Sequence, residues 1–194
     1  MADETVLELG AGAGLPGILA TLEGAELVVL SDYDSPSLLA NLMSNVEANI
    51  PKAMWRKVKV QGYIWGHDSA VITQYIQHAS HSTDYRYRPT FSRILVADCF
   101  WISDQHGPLV ATLSQLLDRS ASARVYVVAG FHTGRSTLAN FFYLAELHGL
   151  VPDEDKIEEK NIINNSTRPW ADDRGIEDTM EQKKWLVIAK LKWA

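Results

Sequence analysis

The 194-residue chain has one cysteine, Cys99, so no intrachain disulfide is available and packing alone must hold the fold. The expected location is therefore a reducing one, cytoplasmic or nuclear, and Cys99, beside an apolar strand, reads as a small core residue. No apolar run approaches the roughly 20 residues that cross a bilayer, and the first residues lack the basic and apolar regions of a signal peptide, so no membrane partner is expected. Basic residues are in deficit: 18 Lys and Arg against 24 Asp and Glu leave a net charge of −6, which supports no nucleic-acid binding through bulk electrostatics. The histidines lack metal-ligand spacing, with His67, His78 and His81 on or just after a polar helical stretch, so no metal site is expected. Internal repeats and low-complexity linkers are absent.

What is present is an ordinary hydrophobic content of 46% over a length that suits one domain spanning 1–194. Apolar runs of strand length alternate with helical patterns, the signature of βαβ units on a mainly parallel sheet. Strands are predicted at Thr5 to Leu9, Leu27 to Ser31, Val58 to Gly62, Ser92 to Asp98 and Arg124 to Ala129. Helical patterns follow each, one of them opening at Ser35-Pro36 with the look of an N-cap and a proline in the first turn. The polar stretch from Ser80 to Thr90 breaks the periodicity and reads as an exposed insertion. Lys156 to Asn161 and Lys184 to Lys192 read as two strands with no useful helix between them, hence an antiparallel hairpin at the sheet edge.

The chemistry concentrates at the ends of these strands. Gly10, Gly12 and Gly14 stand at alternate positions where the first strand must turn into a helix, which lets backbone N–H groups approach a ligand closely. In an open α/β sheet the ligand lies outside the carboxyl ends of the strands. That places the glycine turn, Asp32-Tyr33, Tyr63 to Trp65, Asp98 to Trp101 and Phe131-His132 on one rim. Asp32, 22 positions after Gly10, is placed to accept hydrogen bonds from ribose hydroxyls. A dinucleotide and S-adenosylmethionine both meet these requirements. Glu8-x-Gly10-x-Gly12-x-Gly14 fits the dinucleotide fingerprint poorly, and a carboxylate before the turn repels a pyrophosphate but can orient water or the amino group of a methionine moiety.

At these residues the chain resembles the class I methyltransferases that use S-adenosylmethionine. Their fold implies a Rossmann-like, seven-strand, mostly parallel sheet with helices on both faces and a C-terminal antiparallel hairpin. Within that class it is similar to the methyltransferase 16 family, which contains protein lysine and N-terminal methyltransferases and fungal nicotinamide N-methyltransferase-like proteins. The resemblance is carried by Val6-Leu7-Glu8-Leu9-Gly10-Ala11-Gly12, Ser31-Asp32-Tyr33, Trp65-Gly66 and Ala97-Asp98-x-x-Trp101. It implies that Gly10, Ala11 and Gly12 line the methionine side of the donor, Asp32 the ribose, and Trp65 and Ala97 the adenine. The candidate donor-binding set is thus Glu8, Gly10, Ala11, Gly12, Gly14, Asp32, Tyr33, Trp65 and Ala97. Trp101 stands where the family usually has tyrosine or phenylalanine. The chain also starts only a few residues before its first strand, where family members carry helices that close over the donor, so these lid helices are expected to be missing.

Methyl transfer to an amine requires a neutral nitrogen in line with the donor carbon, held by a carboxylate or an aromatic cage. Asp98, Trp101 and Phe131 are the residues expected around the acceptor. The expected activity is N-methylation of a protein lysine or N-terminus, with a small amine as the other substrate class. Rival readings are a catalytically weak scaffold of the same fold, which would seek an oligomer or partner chain, and a nicotinamide-dependent oxidoreductase. The acidic run Asp153-Glu154-Asp155 with Glu158-Glu159 reads as a solvated face able to attract a basic protein tail. The long loop Asn164 to Gln182, around Trp170, is expected to border the acceptor site or to be poorly ordered.

Overall fold

A computed structural model describes residues 3–79 and 89–194. The predicted insertion therefore lies, over residues 80–88, outside the described residues. Eight strands form one sheet: β1 (Thr5–Leu9), β2 (Leu27–Asp32), β3 (Val58–Gly62), β4 (Arg93–Ala97), β5 (Arg124–Gly130), β6 (Leu150–Asn161), β7 (Thr167–Pro169) and β8 (Trp185–Trp193). Their order is β3-β2-β1-β4-β5-β8-β6-β7. The first five are parallel, and β8 inserts antiparallel between β5 and β6. Strand order reverses between β1 and β4, and this switch point is where an open α/β sheet leaves a crevice at its carboxyl edge.

Alternation along β1 sorts the two faces. Leu7 and Leu9 join the core beneath α3 (Ala70–Ala79), α4 (His106–Leu116) and α5 (Arg135–Leu147), through Ile72, Leu109, Leu113 and Phe141. Val6 faces α1 (Leu15–Leu22) and α2 (Pro36–Asn49), through Ile18, Leu42 and Val46. Helices on both faces bury the central strands on both sides, which is why their sequences read as unbroken apolar runs. Ser35 does precede α2 with Pro36 in the first turn, but its hydroxyl contacts Ser37 rather than capping the helix.

The sheet differs from the prediction at its C-terminal edge. β6 starts at Leu150, six residues earlier than expected, and loses register with β8 between Pro152 and Ile157. Pro152 brings no N–H to the ladder and the acidic run hides the alternation, so only the second half is legible as a strand. The predicted structureless loop contains β7, which pairs with Glu158 to Lys160, and the short helix α6 (Thr179–Gln182). β7 is the strand that brings the sheet to eight rather than the expected seven, and its Pro169 is tolerated because an edge strand has one unpaired side.

The acidic run is not one solvated face either. Glu159 is fully buried and receives Arg135, Arg168 and Arg174, while Glu177 receives Arg135 and Arg168. Burial opposes ionisation of Glu159, yet the three guanidiniums together hold its carboxyl below the usual range. Glu177 is held at about 2, chiefly by Arg135. This network ties the segment after β7 to the start of α5.

Candidate functional site

A cleft of about 610 Å³ opens at the carboxyl edge, at the β1/β4 switch point. It brings together Gly10, Ala11 and Gly12 after β1, Asp32 and Tyr33 after β2, Trp65 after β3, and Ala97, Asp98 and Trp101 around the end of β4. Five separate strand-end segments of the sequence thus reduce to four in one cavity, with the segment after β5 set behind it.

The floor is backbone. Gly10 (φ 64°) and Gly12 (φ 54°) both adopt the left-handed region. A Cβ on Gly10 would lie 2.7 Å from Cys99 Sγ and 3.2 Å from the Trp65 ring, so the missing side chain lets that ring lie against the turn. A Cβ on Gly12 would meet nothing within 4 Å, so this side of the turn faces open space. Asp32 fixes the turn from the neighbouring strand: Gly12 N and Tyr33 N each donate to one of its carboxylate oxygens at 2.6 Å. Each oxygen keeps a lone pair for a further donor.

Glu8 and Gly14 are not in the lining, and alternation explains the first. Glu8 shares a face with Val6, so its carboxyl points beneath the turn, where Gly17 N donates to it at 2.8 Å. It is 1% exposed, and burial pushes it up to about 7, with the backbone bond from Gly17 opposing and the charge of Asp32 assisting. Gly14 immediately precedes α1, and a Cβ there would strike Leu42 at 2.5 Å and Leu30 at 2.7 Å. Both are residues of the turn's support rather than of the cavity surface.

Asp98 sits in the left-handed region at φ 57°, a strain of about 1 kcal/mol for a residue type that tolerates it. By alternation after Ile94 and Val96 it would enter the core, and the left-handed turn takes it out of that row to the cleft. Its Oδ1 accepts from Gly130 N at 3.3 Å and lies 3.4 Å from His132 Nε2. The imidazole folds over Gly130, where a Cβ would come within 2.7 Å of Nε2. Asp98 and His132 side chains are both 58% exposed, and Trp101 is 56% exposed. Trp101 and Asp98 thus present an aromatic ring and a carboxylate at the mouth, and among the described residues no lysine or arginine lines the cleft.

Phe131 does not join them. It continues the inward row Val125, Val127, Ala129 of β5 and is 4% exposed, under Arg135 at 4.8 Å and stacked on Trp170 at 6.1 Å. Ile102 and Gln105, by contrast, line the cleft without having been singled out. Ile102 precedes and Gln105 ends the short 3₁₀ turn Ser103–Gln105, whose placement has no periodic signal. Cys99 also lines the cleft but is nearly buried, donates to Leu9 O at 3.3 Å, and has its thiol pushed up to about 12 by burial. His106 is a core histidine: it bonds the Phe100 carbonyl through Nε2 and Asn140 through Nδ1. His81 lies outside the described residues.

An open sheet with its order reversed at a glycine turn, carrying an acidic residue at the end of the second strand, defines a Rossmann-like nucleotide-type binding fold. Known structures share it. The PH0226 protein from Pyrococcus horikoshii OT3 superposes with a TM-score of 0.61 over 100% of this chain and 83% of its own, at 10% identity. The ribosomal protein L11 methylase from Lactobacillus delbrueckii subsp. bulgaricus does so with a TM-score of 0.56 over 100% and 71%, at 13% identity. At such identities the likeness concerns the fold.

The family is given by sequence. The lysine methyltransferase family model matches residues 1–148, and the chain belongs to that family. The protein N-terminal and lysine N-methyltransferase EFM7 of Candida glabrata is 32% identical over 163 residues, 83% of this chain and 59% of the relative. The protein of the same name in Emericella nidulans is 31% identical over 174 residues, 85% and 64%. The chain therefore spans about six-tenths of the length of these curated relatives.

Proposed function

We propose that this chain carries the donor site and part of the acceptor site of an S-adenosylmethionine-dependent N-methyltransferase whose acceptor is an amine of a protein, a lysine side chain or an N-terminus. The observation that carries this is the shared cleft: a side-chain-free glycine turn and Asp32 on one side, an exposed Asp98 and Trp101 on the other, with no cationic side chain between them among the described residues. Membership of the lysine methyltransferase family supports the donor, and the names of the relatives support the class of acceptor.

The cleft suits the donor by size and by chemistry. Its volume falls within the range of about 300–1,000 Å³ usual for small-molecule sites. Asp32 can accept from ribose hydroxyls, the Gly10 to Gly12 backbone can approach the methionine end, and Trp65 supplies a flat apolar wall for a base. S-adenosylmethionine supplies a methyl group on a sulfonium, which leaves as the C–S bond breaks. The protein's part is alignment, charge and the control of one proton.

Asp98 and Trp101 hold the acceptor as an ammonium, by ion pairing and by cation–π contact. The nitrogen must lose a proton before its lone pair forms the N–C bond. His132, beside Asp98 on the solvent side, is placed to take that proton or to pass it to water. Calorimetry with S-adenosylhomocysteine tests the donor half, and transfer of tritiated methyl groups into protein from a cell extract tests the whole. No binding at millimolar ligand together with saturable NAD binding would overturn the assignment.

A further inference from the structure

A second cavity, about 480 Å³, lies on the far side of α5, between that helix, β6 and the segment after β7. Its floor is apolar: Phe142, Leu150, Ile157, Trp170 and Leu191 line it, with Tyr143 standing 61% exposed at its edge. Two carboxylates line it, Glu146 in the last turn of α5 and Asp172 next to the Trp170 indole, which donates to it at 2.7 Å. Among the described residues, no lysine or arginine lines it. Two further exposed acids, Glu154 and Asp155, lie in the stretch of β6 that leaves the ladder between Pro152 and Ile157, both of which line the groove; Lys156 in the same stretch is paired with Glu158.

The groove begins at the active rim. Ser136, at its upper end, is the second residue of α5, directly after the loop that carries Phe131 and His132. Trp170 is fixed there by Phe131, Phe142 and the Arg135 guanidinium, 5.1 Å from its ring. From Ser136 to Glu146 the helix rises about 15 Å, the reach of four or five extended residues. The surface is preformed, since Arg135 is locked to Glu159 and Glu177, so little ordering opposes binding.

We propose that this groove docks a short basic segment of the protein acceptor, an apolar side chain seated on Phe142 and Trp170 and lysine or arginine side chains reaching Glu146 and Asp172. The inference rests on the reading of a protein acceptor given above for the identity of the partner. The charge argues for this occupant: an apolar floor ringed by acids, in a chain of net charge −6, attracts cations and repels acidic peptides.

The test uses two N-acetylated, fluorescein-labelled peptides, Lys-Lys-Leu-Phe-Lys-Lys and Glu-Glu-Leu-Phe-Glu-Glu, followed by anisotropy at about 50 mM salt, where screening is weak. The lysine peptide is expected to bind saturably and the glutamate peptide not. Glu146→Lys and Tyr143→Ala, both on exposed side chains, are each expected to weaken it about fivefold, and Glu47→Lys, exposed on α2 across the sheet, to leave it nearly unchanged. Methyl transfer into extract protein should fall in the same two variants while their affinity for S-adenosylhomocysteine and their melting temperatures stay constant. The proposal is overturned if the lysine peptide fails to bind, binds both groove variants as tightly as the natural chain, or is weakened as much by Glu47→Lys, which would make it a response to bulk charge. A dimer that dissociates in Tyr143→Ala would assign the groove to a second copy of the chain and overturn it too. Peptide binding without donor binding would retire the methyltransferase reading and leave the groove standing.

Discussion

Glu8 makes the glycine turn sensitive to pH, and the sign is opposite to that of most carboxylates. Its carboxyl is 1% exposed with one backbone donor, Gly17 N, and burial raises it from 4.5 to about 7. Below about pH 4.5 the carboxyl is protonated in both folded and unfolded chains, and its contribution is at its most favourable. Between 4.5 and 7 the unfolded chain releases the proton while the folded chain keeps it, so stability falls as pH rises. Above 7 the loss is complete, and it amounts to about 3 kcal/mol. Glu8→Gln keeps the shape, the acceptor for Gly17 N and the polar pattern of the protonated acid, but cannot ionise. Denaturant unfolding of both proteins from pH 4.5 to 8.5 measures the difference, so that the titration of every other group cancels. The variant should gain about 3 kcal/mol over the natural chain on going from the acid to the alkaline end, equivalent to a melting-temperature difference of about 6–12 °C for a chain of this size. A stability difference that stays constant across this range would mean that Glu8 is ionised in the fold throughout, and the account of the buried turn would be wrong.

Four further outcomes follow from the geometry. Asp32→Ala removes the acceptor for Gly12 N and Tyr33 N as well as the ribose partner, and is expected to weaken S-adenosylhomocysteine by at least about tenfold in calorimetry, with about 1 kcal/mol lost from stability. Gly10→Ala should abolish donor binding and lower the melting temperature, because its Cβ collides with Cys99 Sγ at 2.7 Å in a left-handed backbone. Asp98→Asn and His132→Gln should each reduce methyl transfer about tenfold or more while leaving S-adenosylhomocysteine affinity intact; a parallel loss of donor affinity would place Asp98 on the donor side. Glu177 is held at about 2 by Arg135, so its contribution is present above about pH 4.5 and is lost as pH falls towards 2; acid unfolding of Glu177→Gln should lack that component.

How much of this was legible in the sequence depends on whether a residue's role is set by local pattern or by a partner far along the chain. The sheet was legible because β1 and β2 are buried on both faces, while β4 and β5 are buried on one and carry mostly apolar residues on the half-covered other, so each is an apolar run of strand length. The cleft was legible for a related reason: it is built from residues at or just after the strand ends, and Gly10, Asp32, Trp65 and Ala97 all meet in it. Alternation also contained the placements of Glu8 and Phe131, since Val6 and Val28 already define one face and Val125, Val127 and Ala129 the other. Position in the sequence brings both residues next to the rim, and the face that alternation gives each side chain turns it away.

The edge beyond β5 is where pattern fails, and the reason is charge. Glu159 stands in a run of acids that reads as solvated surface, yet it is buried because Arg135, Arg168 and Arg174, between 9 and 24 positions away, converge on it. No periodicity encodes such a convergence. Removing one partner of a buried, hydrogen-bonded ion cluster costs about 3–5 kcal/mol, more than a typical core methyl. Glu159→Gln should therefore leave three guanidiniums facing a neutral amide and free the segment from β7 to α6. Trp170 would then lose the Arg135 and Phe131 packing that holds it at the junction of the cleft's rim and the groove along α5. Tryptophan fluorescence and protease sensitivity of residues 170–178 read this directly, and an unchanged cleavage rate would mean that the Phe131, Phe142 and Trp170 rings alone hold the segment, with the ion cluster as a passenger.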